Sequence, residues 1–538
     1  MDGSQNIVLT DVIVGRIVAI TGANITAQLD VSKGRDDATA LQIGTLVKTR
    51  TPGSVAYGVV RSLTVTNPGS TQSATGAAGE IQMAEITLIG ETPLTPDGKF
   101  YAFRRGVARS PSLDRPIHAT GTTDFARVYA APSQTSVKVG VIHQDTSLPA
   151  HVLTDELLGK HFGILGTTGS GKSCAVVLLL RAILDEHPNA HVVMLDPHNE
   201  YTQAFGDRAE ILDHKSLELP YWLLNFSELL DVLFGAQADE GSAEAGILAD
   251  MIPQAKRDHI GDPEKGIHFT IDTPVPYKFA DLIRRIDQEM GKLDKNETVA
   301  PYRRLRARLT ALQTDMRYKF MFGGISISDR MPDILGRLFR IPVDGKPISI
   351  VDLSAIPSEI VNVVITVLCR LTFEFALWCE RSVPILLVCE EAHRYAPAQP
   401  DPRYDMTKHA LSRIAKEGRK YGASLCVVSQ RPSQLSPDLL SQCNTLFAMR
   451  MSNNDDQEHL RGAMSDSSAG LMEFLPSLGN GEAVAVGQGV TLPMRIKFRS
   501  LPEDQRPHSA TAVFSKAWDE GAEDLNYVRE IVRRWRRL

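Results

Sequence analysis

Two different periodicities of hydrophobic and polar residues divide this chain. Residues 1–130 contain short apolar runs separated by glycine, proline, serine, threonine and asparagine. Short strands with such frequent turn signals predict a small barrel or sandwich. From about residue 150 onward, apolar runs of strand length alternate with segments of helical period, which is typical of an α/β fold. The predicted strands are Ile13–Ile20, Ile25–Leu29, Thr45–Thr49, Ala56–Val65 and Ile81–Ile89, then Phe162–Leu165, His191–Leu195, Ser349–Leu353, Ile385–Cys389, Ser424–Ser429, Thr445–Met449 and Ala483–Gly487.

Three further segments depart from this alternation of strands and helices. Residues 226–335 lose strand character and are rich in Asp, Glu, Lys and Arg, which predicts a helical insertion into the α/β core. Thr66–Gly79 is rich in Gly, Ser, Thr and Ala, and this composition predicts a mobile hairpin loop. The C-terminal run 533–537 reads Arg-Arg-Trp-Arg-Arg, which predicts a short basic aromatic helix or arm.

A complete phosphate-binding motif, Gly-Thr-Thr-Gly-Ser-Gly-Lys-Ser, occupies residues 166–173 between an apolar strand and an amphipathic helical run. Its glycines let backbone N–H groups turn towards phosphates, Lys172 supplies charge to the β- and γ-phosphate oxygens, and Ser173 can ligate Mg²⁺. We therefore predict that ATP binds here; the alternative is a glycine-rich turn without a ligand. The predicted nucleotide-binding residues are Gly166, Thr167, Thr168, Gly169, Ser170, Gly171, Lys172, Ser173 and Cys174.

Hydrolysis needs a second, carboxylate-bearing strand, and residues 384–393 have the required pattern. An apolar run ends in Glu390 and Glu391, which are followed by Ala-His. We predict that Glu390 holds Mg²⁺ through water and that Glu391 polarises the attacking water. Many P-loop proteins carry Asp at the first position, and Glu390 reaches slightly farther. The alternative is that both acids only cap an exposed strand end.

A basic helix is predicted over Leu411–Gly422, before the next predicted strand, and Gln430 follows that strand. Charge that develops on a transferred phosphoryl group needs neutralising, and an arginine from a neighbouring subunit can do this. We predict this role for Arg419, with Arg413 as the second candidate. Gln430 is expected to sense the γ-phosphate or to orient water. The alternative for each arginine is a solvated helix face.

Residues 192–201 place an acid, an imidazole and a second acid at the end of the strand that follows the P-loop helix. Asp196 and Glu200 can reach the metal or a subunit interface, and His198 can bond phosphate or backbone. A turn in which Asp and Asn cap the next segment remains the alternative.

Composition narrows the class of protein. A chain of 538 residues with 43% apolar content is expected to form two to four globular domains. Its net charge of −6 gives no overall basic signature, so nucleic-acid contacts would need a local stripe or a pore lining. Six cysteines without C-x-x-C spacing are expected to be reduced and intracellular.

The sequence also bears on where the protein is located. The first residues lack a basic region and an apolar core, so no secretory signal is expected. The longest apolar stretch, Val361–Trp378, is interrupted by Asn362, Arg370 and Glu374, which favours a buried helix over a membrane span. We therefore expect a cytoplasmic protein.

The order of these motifs resembles that of the HerA family of bacterial and archaeal hexameric ATPases, relatives of the FtsK DNA pumps. The resemblance covers nearly the whole chain. It rests on the loop 166–173, on Asp196–Tyr201, on Glu390–His393, on Glu417–Gly422 and on Ser429–Pro432.

The N-terminal region adds to the resemblance, because Val14–Val18 and Leu41–Val47 are similar to the barrel of that family and Phe103–Val107 to its link to the motor. Asn199 departs from the family, which commonly has Gly there. Similarity to HerA implies a RecA-like P-loop ATPase core that forms a hexameric ring and translocates on double-stranded DNA through a central channel. It also implies a docked effector, either a nuclease or a sirtuin-type NADase, in DNA end processing or antiviral defence.

This reading divides the chain into five parts. They are a barrel at 1–130, a first part of the ATPase core at 131–225, a helical insertion at 226–335, a second core part at 336–500 and a C-terminal arm at 501–538. Candidate DNA contacts are Arg394, Arg403 and Lys408, because phosphate neutralisation needs projected cations. The arginines of residues 302–309 spread around a helix and favour a solvated or salt-bridged face.

Two other functions stay open. An ATP-dependent assembly scaffold would organise and activate an effector enzyme without pumping DNA, and the sequence does not separate it from a motor. A small-molecule kinase would need a substrate pocket and a lid, which the barrel and the basic tail disfavour.

Overall fold

The computed structural model describes residues 12–30, 41–66, 81–95, 97, 99–235, 239–261, 268–292, 296–323, 328–464, 469–508, 514–519 and 525–536. The predicted mobile loop at 66–79 lies outside the described residues, apart from Thr66 at its start.

Six N-terminal strands close into an antiparallel barrel. The order β2-β1-β7-β3-β4-β5 is completed by pairing of β5 with β2, and β6 adds to the outside edge of β5. Alternate positions such as Ile17, Ala27 and Ile86 point inward and form the barrel core. The direct pairing of β1 with β2 brings the two strands so close that a Cβ on Gly15 would lie 2.4 Å from the Gln28 carbonyl oxygen. The strands are β1 Ile13–Thr21, β2 Asn24–Leu29, β3 Leu46–Thr51, β4 Ser54–Thr66, β5 Ile81–Pro93, β6 Arg104–Arg105 and β7 Pro116–Ala119.

The rest of the described strands form one eleven-stranded mixed sheet in the order β12-β13-β11-β14-β15-β10-β16-β17-β18-β8-β9. Strands β10–β16 are parallel, and β17, β18, β8 and β9 extend the sheet with antiparallel pairing. The carboxyl ends of the parallel strands therefore meet at one sheet edge, where ligands of such sheets bind. These strands are β8 Ser136–Ile142, β9 Pro149–Leu153, β10 His161–Leu165, β11 Val192–Asp196, β12 Ala209–Leu212, β13 Ile348–Asp352, β14 Ile385–Cys389, β15 Ala423–Ser429, β16 Cys443–Met449, β17 Glu482–Gly487 and β18 Met494–Phe498.

Helices cover both faces of this sheet, and buried clusters lie on each side of it. The fold is thus mixed α/β, with an N-terminal barrel and a helical insertion, as the sequence pattern predicted. The α-helices are Thr122–Val128, Thr154–Leu158, Lys172–Glu186, Thr202–Phe205, Phe226–Phe234, Ala243–Ile260, Phe279–Met290, Asn296–Thr314, Lys319–Phe322, Met331–Phe339, Val361–Trp378, Asp405–Glu417, Pro437–Gln442, Asn454–Gly462, Ala469–Met472, Phe514–Asp519 and Leu525–Trp535.

The helical insertion packs against the core through a shared apolar cluster and a buried ion pair. Arg370, on the helix Val361–Trp378, contacts Glu228 of the insertion with two nitrogen–oxygen distances of 2.8 Å. Arginines of the insertion are also paired, because Arg304 lies 2.6 Å from Glu244 and Arg306 lies 2.6 Å from Asp287.

The helix Val361–Trp378 is long and apolar enough to cross a membrane by length and composition alone. In this fold it is a core helix, because Val364, Leu368 and Cys369 are fully buried between the sheet and its neighbours. Its polar groups are used within the protein, as when Thr366 shares a hydrogen bond of 2.8 Å with Thr407.

Two local expectations differ from the structure. The basic segment 411–422 is not one helix, because the helix ends at Glu417 and Arg419 lies in a 3-10 turn, Gly418–Lys420. The antiparallel extension of the sheet had only one strand, β17, among those expected. The other three strands, β8, β9 and β18, were not among those expected, although they have seven, five and five residues.

Candidate nucleotide site

The phosphate-binding loop joins β10 to the helix Lys172–Glu186. Gly169 and Gly171 have φ of +76° and +95°, which ordinary side chains rarely adopt. A Cβ on Gly166 would lie 2.7 Å from the Cβ of Met449, so only glycine fits against the neighbouring strand. No side chain caps the N-terminus of the helix, which leaves its first N–H groups available to an anion. Cys174 lies in the first turn, half-buried.

Lys172 and Glu390 meet at the bottom of this loop. The Lys172 Nζ lies 3.7 Å from Glu390 Oε1, and both side chains are buried. The Tyr201 hydroxyl donates to Glu390 Oε2 at 2.8 Å, and the Tyr395 hydroxyl donates to the Glu390 main-chain oxygen. Burial raises the pKa of Glu390 to about 7, while Lys172 and Tyr201 oppose the rise. The carboxyl group is therefore held in place beside the loop lysine.

Ser173 and Glu200 contribute further oxygen atoms on the same side of the loop. The Ser173 hydroxyl donates to Glu200 Oε2 at 2.9 Å. With Glu390 close to Lys172, this set of hydroxyl and carboxylate oxygens has the chemistry that Mg²⁺ prefers. The residues present therefore fit a hydrated Mg²⁺ ion bound with nucleotide phosphates.

Glu391 is held in an uncommon conformation directly after β14. Its φ of +51° lies in the left-handed region, and its Oε2 is buried without a hydrogen-bond partner. His393 Nδ1 lies 3.2 Å from that oxygen and 3.1 Å from the Ser429 hydroxyl. Burial lowers the pKa of His393 to about 4, so this contact joins a neutral imidazole to Glu391 near neutral pH. An unsatisfied carboxylate oxygen beside the phosphate loop is suited to accept a proton from water.

Gln430 lies next to the phosphate loop, as its position after β15 predicts. The Thr168 hydroxyl donates to Gln430 Oε1 at 2.5 Å. Because β15 lies between β14 and β10, the end of this strand brings Gln430 between the loop and the carboxylates.

In the turn after β11, one acid accepts backbone N–H groups and the other faces the phosphate loop. Asp196 is fully buried and accepts the backbone N–H groups of His198 and Tyr201 at 3.2 Å and 3.0 Å. This residue therefore caps the turn, which was the alternative to a metal-binding role. Asn199 has φ of +54°, a conformation that Asn tolerates better than most side chains. Glu200 alone faces Ser173, and His198 Nε2 lies 3.2 Å from Arg394 Nη1.

The two candidate arginine fingers have different surroundings. Arg419 is exposed just before β15 begins, whereas the loop lies at the edge where β15 ends. Within the part of the chain that the structure describes, Arg419 has no ion pair or side-chain hydrogen bond. Arg413 instead stacks on Phe373, with its guanidinium carbon 4.2 Å from the ring centre.

The candidate DNA contacts differ in their surroundings. Arg394 is exposed beside the nucleotide site. Arg403 pairs with Asp401 through nitrogen–oxygen distances of 3.1 Å and 2.7 Å, which partly neutralises its charge. Lys408 is half-buried on the helix Asp405–Glu417.

Sequence reasoning missed three residues that the fold brings to the site. They are Tyr201, which binds Glu390, Arg450, whose carbonyl oxygen binds Thr167, and Gly481, whose N–H donates to the Ser170 carbonyl at 2.9 Å. Arg450 directly follows a parallel strand, and residues at that position lie near the ligand-binding edge of such sheets, so the sequence could have indicated it. The other two need the folded chain.

Comparisons with known proteins show which proteins this chain resembles. A family model described as the central domain of helicase HerA matches residues 137–372. The DNA double-strand break repair helicase HerA of Pyrococcus furiosus is 26% identical over 444 residues, covering 75% of this chain and 74% of that protein. A probable DNA double-strand break repair helicase HerA of Methanocaldococcus jannaschii is 26% identical over 415 residues, covering 69% and 77%.

A solved structure, VirB4 of Thermoanaerobacter pseudethanolicus, has a TM-score of 0.49 and 18% identity, covering 70% of this chain and 99% of that chain. The HerA model spans the phosphate loop, and the HerA relatives extend over most of the chain. The chain is therefore similar to helicase HerA over residues 137–372 and to HerA relatives over most of its length.

Proposed function

We propose that this chain is a subunit of a Mg²⁺-dependent ATPase ring that moves or remodels double-stranded DNA and works with an effector partner. The observation that carries the ATPase proposal is the meeting of Lys172, Glu390, Glu391 and Gln430 around one phosphate loop. These four groups come from the ends of two strands, β14 and β15, and from the P-loop helix, and their chemistry matches that of phosphoryl transfer to water.

Each group has one task in this proposal. Lys172 binds the β- and γ-phosphate oxygens of ATP, and Ser173 and Glu390 hold the Mg²⁺ ion, Glu390 through water. The ion neutralises phosphate charge when bound. Glu391 accepts a proton from the attacking water, and Gln430 orients that water or senses the γ-phosphate.

The ring proposal rests on the position of Arg419. The seven residues of β15 lie between Arg419 and Gln430, and at about 3.3 Å per residue this strand spans roughly 23 Å. One arginine side chain does not span that distance, so Arg419 can complete only the site of another subunit. This position supports a ring in which each site is finished by the neighbouring chain, with a hexamer as the expected size.

Action on DNA is inferred from the relatives, whose names describe DNA double-strand break repair helicases. We propose Arg394 as the first DNA-contact candidate, because it is exposed and unpaired with any carboxylate among the described residues. The partner is proposed to be a nuclease or a sirtuin-type NADase, in end processing or antiviral defence.

Two measurements test this proposal. ATPase rate is measured with and without linear duplex DNA; stimulation by DNA is expected, and a DNA-independent rate would instead indicate an effector scaffold. Arg419→Ala rings and Glu391→Gln rings should each be inactive yet assembled, while mixed rings should recover part of the activity at interfaces that pair intact residues. No recovery at any mixing ratio would contradict an arginine supplied in trans.

A further inference from the structure

The outer side of the phosphate loop is held by the residue that follows β16. This strand pairs with β10 in parallel, with Ala448 opposite Leu165, so Arg450 lies level with the start of the loop. The Arg450 carbonyl oxygen accepts the Thr167 N–H at 3.0 Å and the Thr167 hydroxyl at 2.9 Å. The main chain at Arg450 therefore fixes the first half of the loop.

The side chain of Arg450 reaches the same loop at a second point. Residues 167–170 form a turn, because the Ser170 N–H donates to the Thr167 carbonyl at 3.2 Å and Gly169 has φ of +76°. Arg450 Nη2 lies 3.5 Å from the Gly169 carbonyl oxygen. One residue thus contacts the turn at its first and third positions.

The guanidinium lies on the outside of the loop. In a trans peptide the carbonyl and the following N–H point in opposite directions, so the Gly169 carbonyl faces Arg450 while the Ser170 N–H points back across the turn. Arg450 is half-buried and pairs with no carboxylate among the residues that the structure describes. Its charge is therefore available to the loop carbonyl.

We propose that Arg450 is a positioning residue for nucleotide binding, whose guanidinium holds the Thr167–Ser170 turn in its binding conformation. Holding a loop in its bound shape raises affinity because less freedom is lost on binding. This inference rests on the proposed ATP site. Since the turn serves phosphates shared by ATP and ADP, both nucleotides should depend on Arg450 equally, whereas a group that touches the γ-phosphate would affect ATP alone.

The test measures dissociation constants of fluorescent ATP and ADP analogues for the wild type, Arg450→Met and Arg450→Lys. Arg450→Met should weaken the binding of both nucleotides by about fivefold, the net value of one ordinary hydrogen bond. The dissociation constants of Arg450→Lys should lie between those of the wild type and Arg450→Met, because an ammonium group can still donate to one carbonyl. The KM for ATP should rise in Arg450→Met, with kcat changed less than twofold.

Arg461→Met is the matched control, because Arg461 is an exposed arginine of the helix Asn454–Gly462 and should leave both affinities unchanged. Unchanged affinity in Arg450→Met, or a loss for ATP alone, would overturn the positioning role. If the wild type binds neither nucleotide, the proposed ATP site itself fails, which is a separate result. Melting temperatures of all variants show whether each one folds.

Discussion

The buried ion pair between Arg370 and Glu228 should decide how firmly the helical insertion is joined to the ATPase core. The Glu228 side chain is fully buried, and Arg370 is 14% exposed. Two parallel nitrogen–oxygen contacts of 2.8 Å join them, and Arg370 also donates to the Leu223 carbonyl at 2.5 Å. Charges this far from water depend on each other, because neither has solvent to replace its partner.

The two single variants should lower the free energy of unfolding by different amounts. Arg370→Met leaves the Glu228 carboxylate buried and unpaired, which is expected to destabilise the protein by about 3–5 kcal/mol. Glu228→Gln should have a smaller effect, about 2 kcal/mol, because Leu223 and Glu374 still accept hydrogen bonds from Arg370. The double variant should recover part of the loss, since no fully buried charge is left without its partner.

Urea denaturation and hydrogen exchange of the helix Phe226–Phe234 measure these effects together. Exchange in that helix should rise more than exchange in β14, because the pair ties the insertion to the core. The control is Arg304→Met, which breaks a pair whose arginine is 62% exposed and should cost under about 1 kcal/mol. Equal losses in the two single variants that simply add in the double variant would refute the argument.

Three further predictions concern the site, the insertion and the C-terminus. Gly166→Ala should abolish binding of a fluorescent ATP analogue, because the new methyl group would lie 2.7 Å from the Met449 Cβ; binding within twofold of the wild type would contradict this fit. Burial lowers the pKa of Lys256 to about 8, so the unfolded chain binds more protons above that pH and stability should rise between about pH 8 and pH 10.5. Denaturation of Lys256→Met across this range should lack that contribution, and an unchanged pH dependence would count against it. Removing residues 533–538 should weaken subunit contact or effector docking; unchanged mass in solution and unchanged effector binding would argue against a role for the arm.

Much of this protein follows from local sequence. The apolar runs that became β10, β11, β14 and β15 are continuous because parallel strands are buried on both faces, and such runs are visible without a structure. The glycine spacing of residues 166–173 is equally local, since each glycine serves a backbone angle or a close approach nearby. Lys172 and Gln430 were identifiable for the same reason, because each stands at a strand or helix end.

Other features depend on which strands become neighbours. Tyr201 is a buried aromatic residue in the sequence, and only the adjacency of β11 and β14 brings its hydroxyl to Glu390. Arg450 contacts the loop because β16 lies beside β10, although Arg450 and Gly169 are 281 positions apart in the chain. For Asp196 the folded structure removed an expected role. Its charge suggested a metal ligand, but the side chain is buried beneath the turn and accepts backbone N–H groups instead.

The motif of residues 166–173, the paired acids after β14 and the fold class were therefore determined by the sequence alone, because backbone geometry and strand burial act over a few residues. The tertiary structure decided which acid faces the loop lysine, which residue clamps the loop from outside and that Arg419 lies a strand length away from its own site. Those are distances between segments remote in the chain, and they arise only when the sheet order is set.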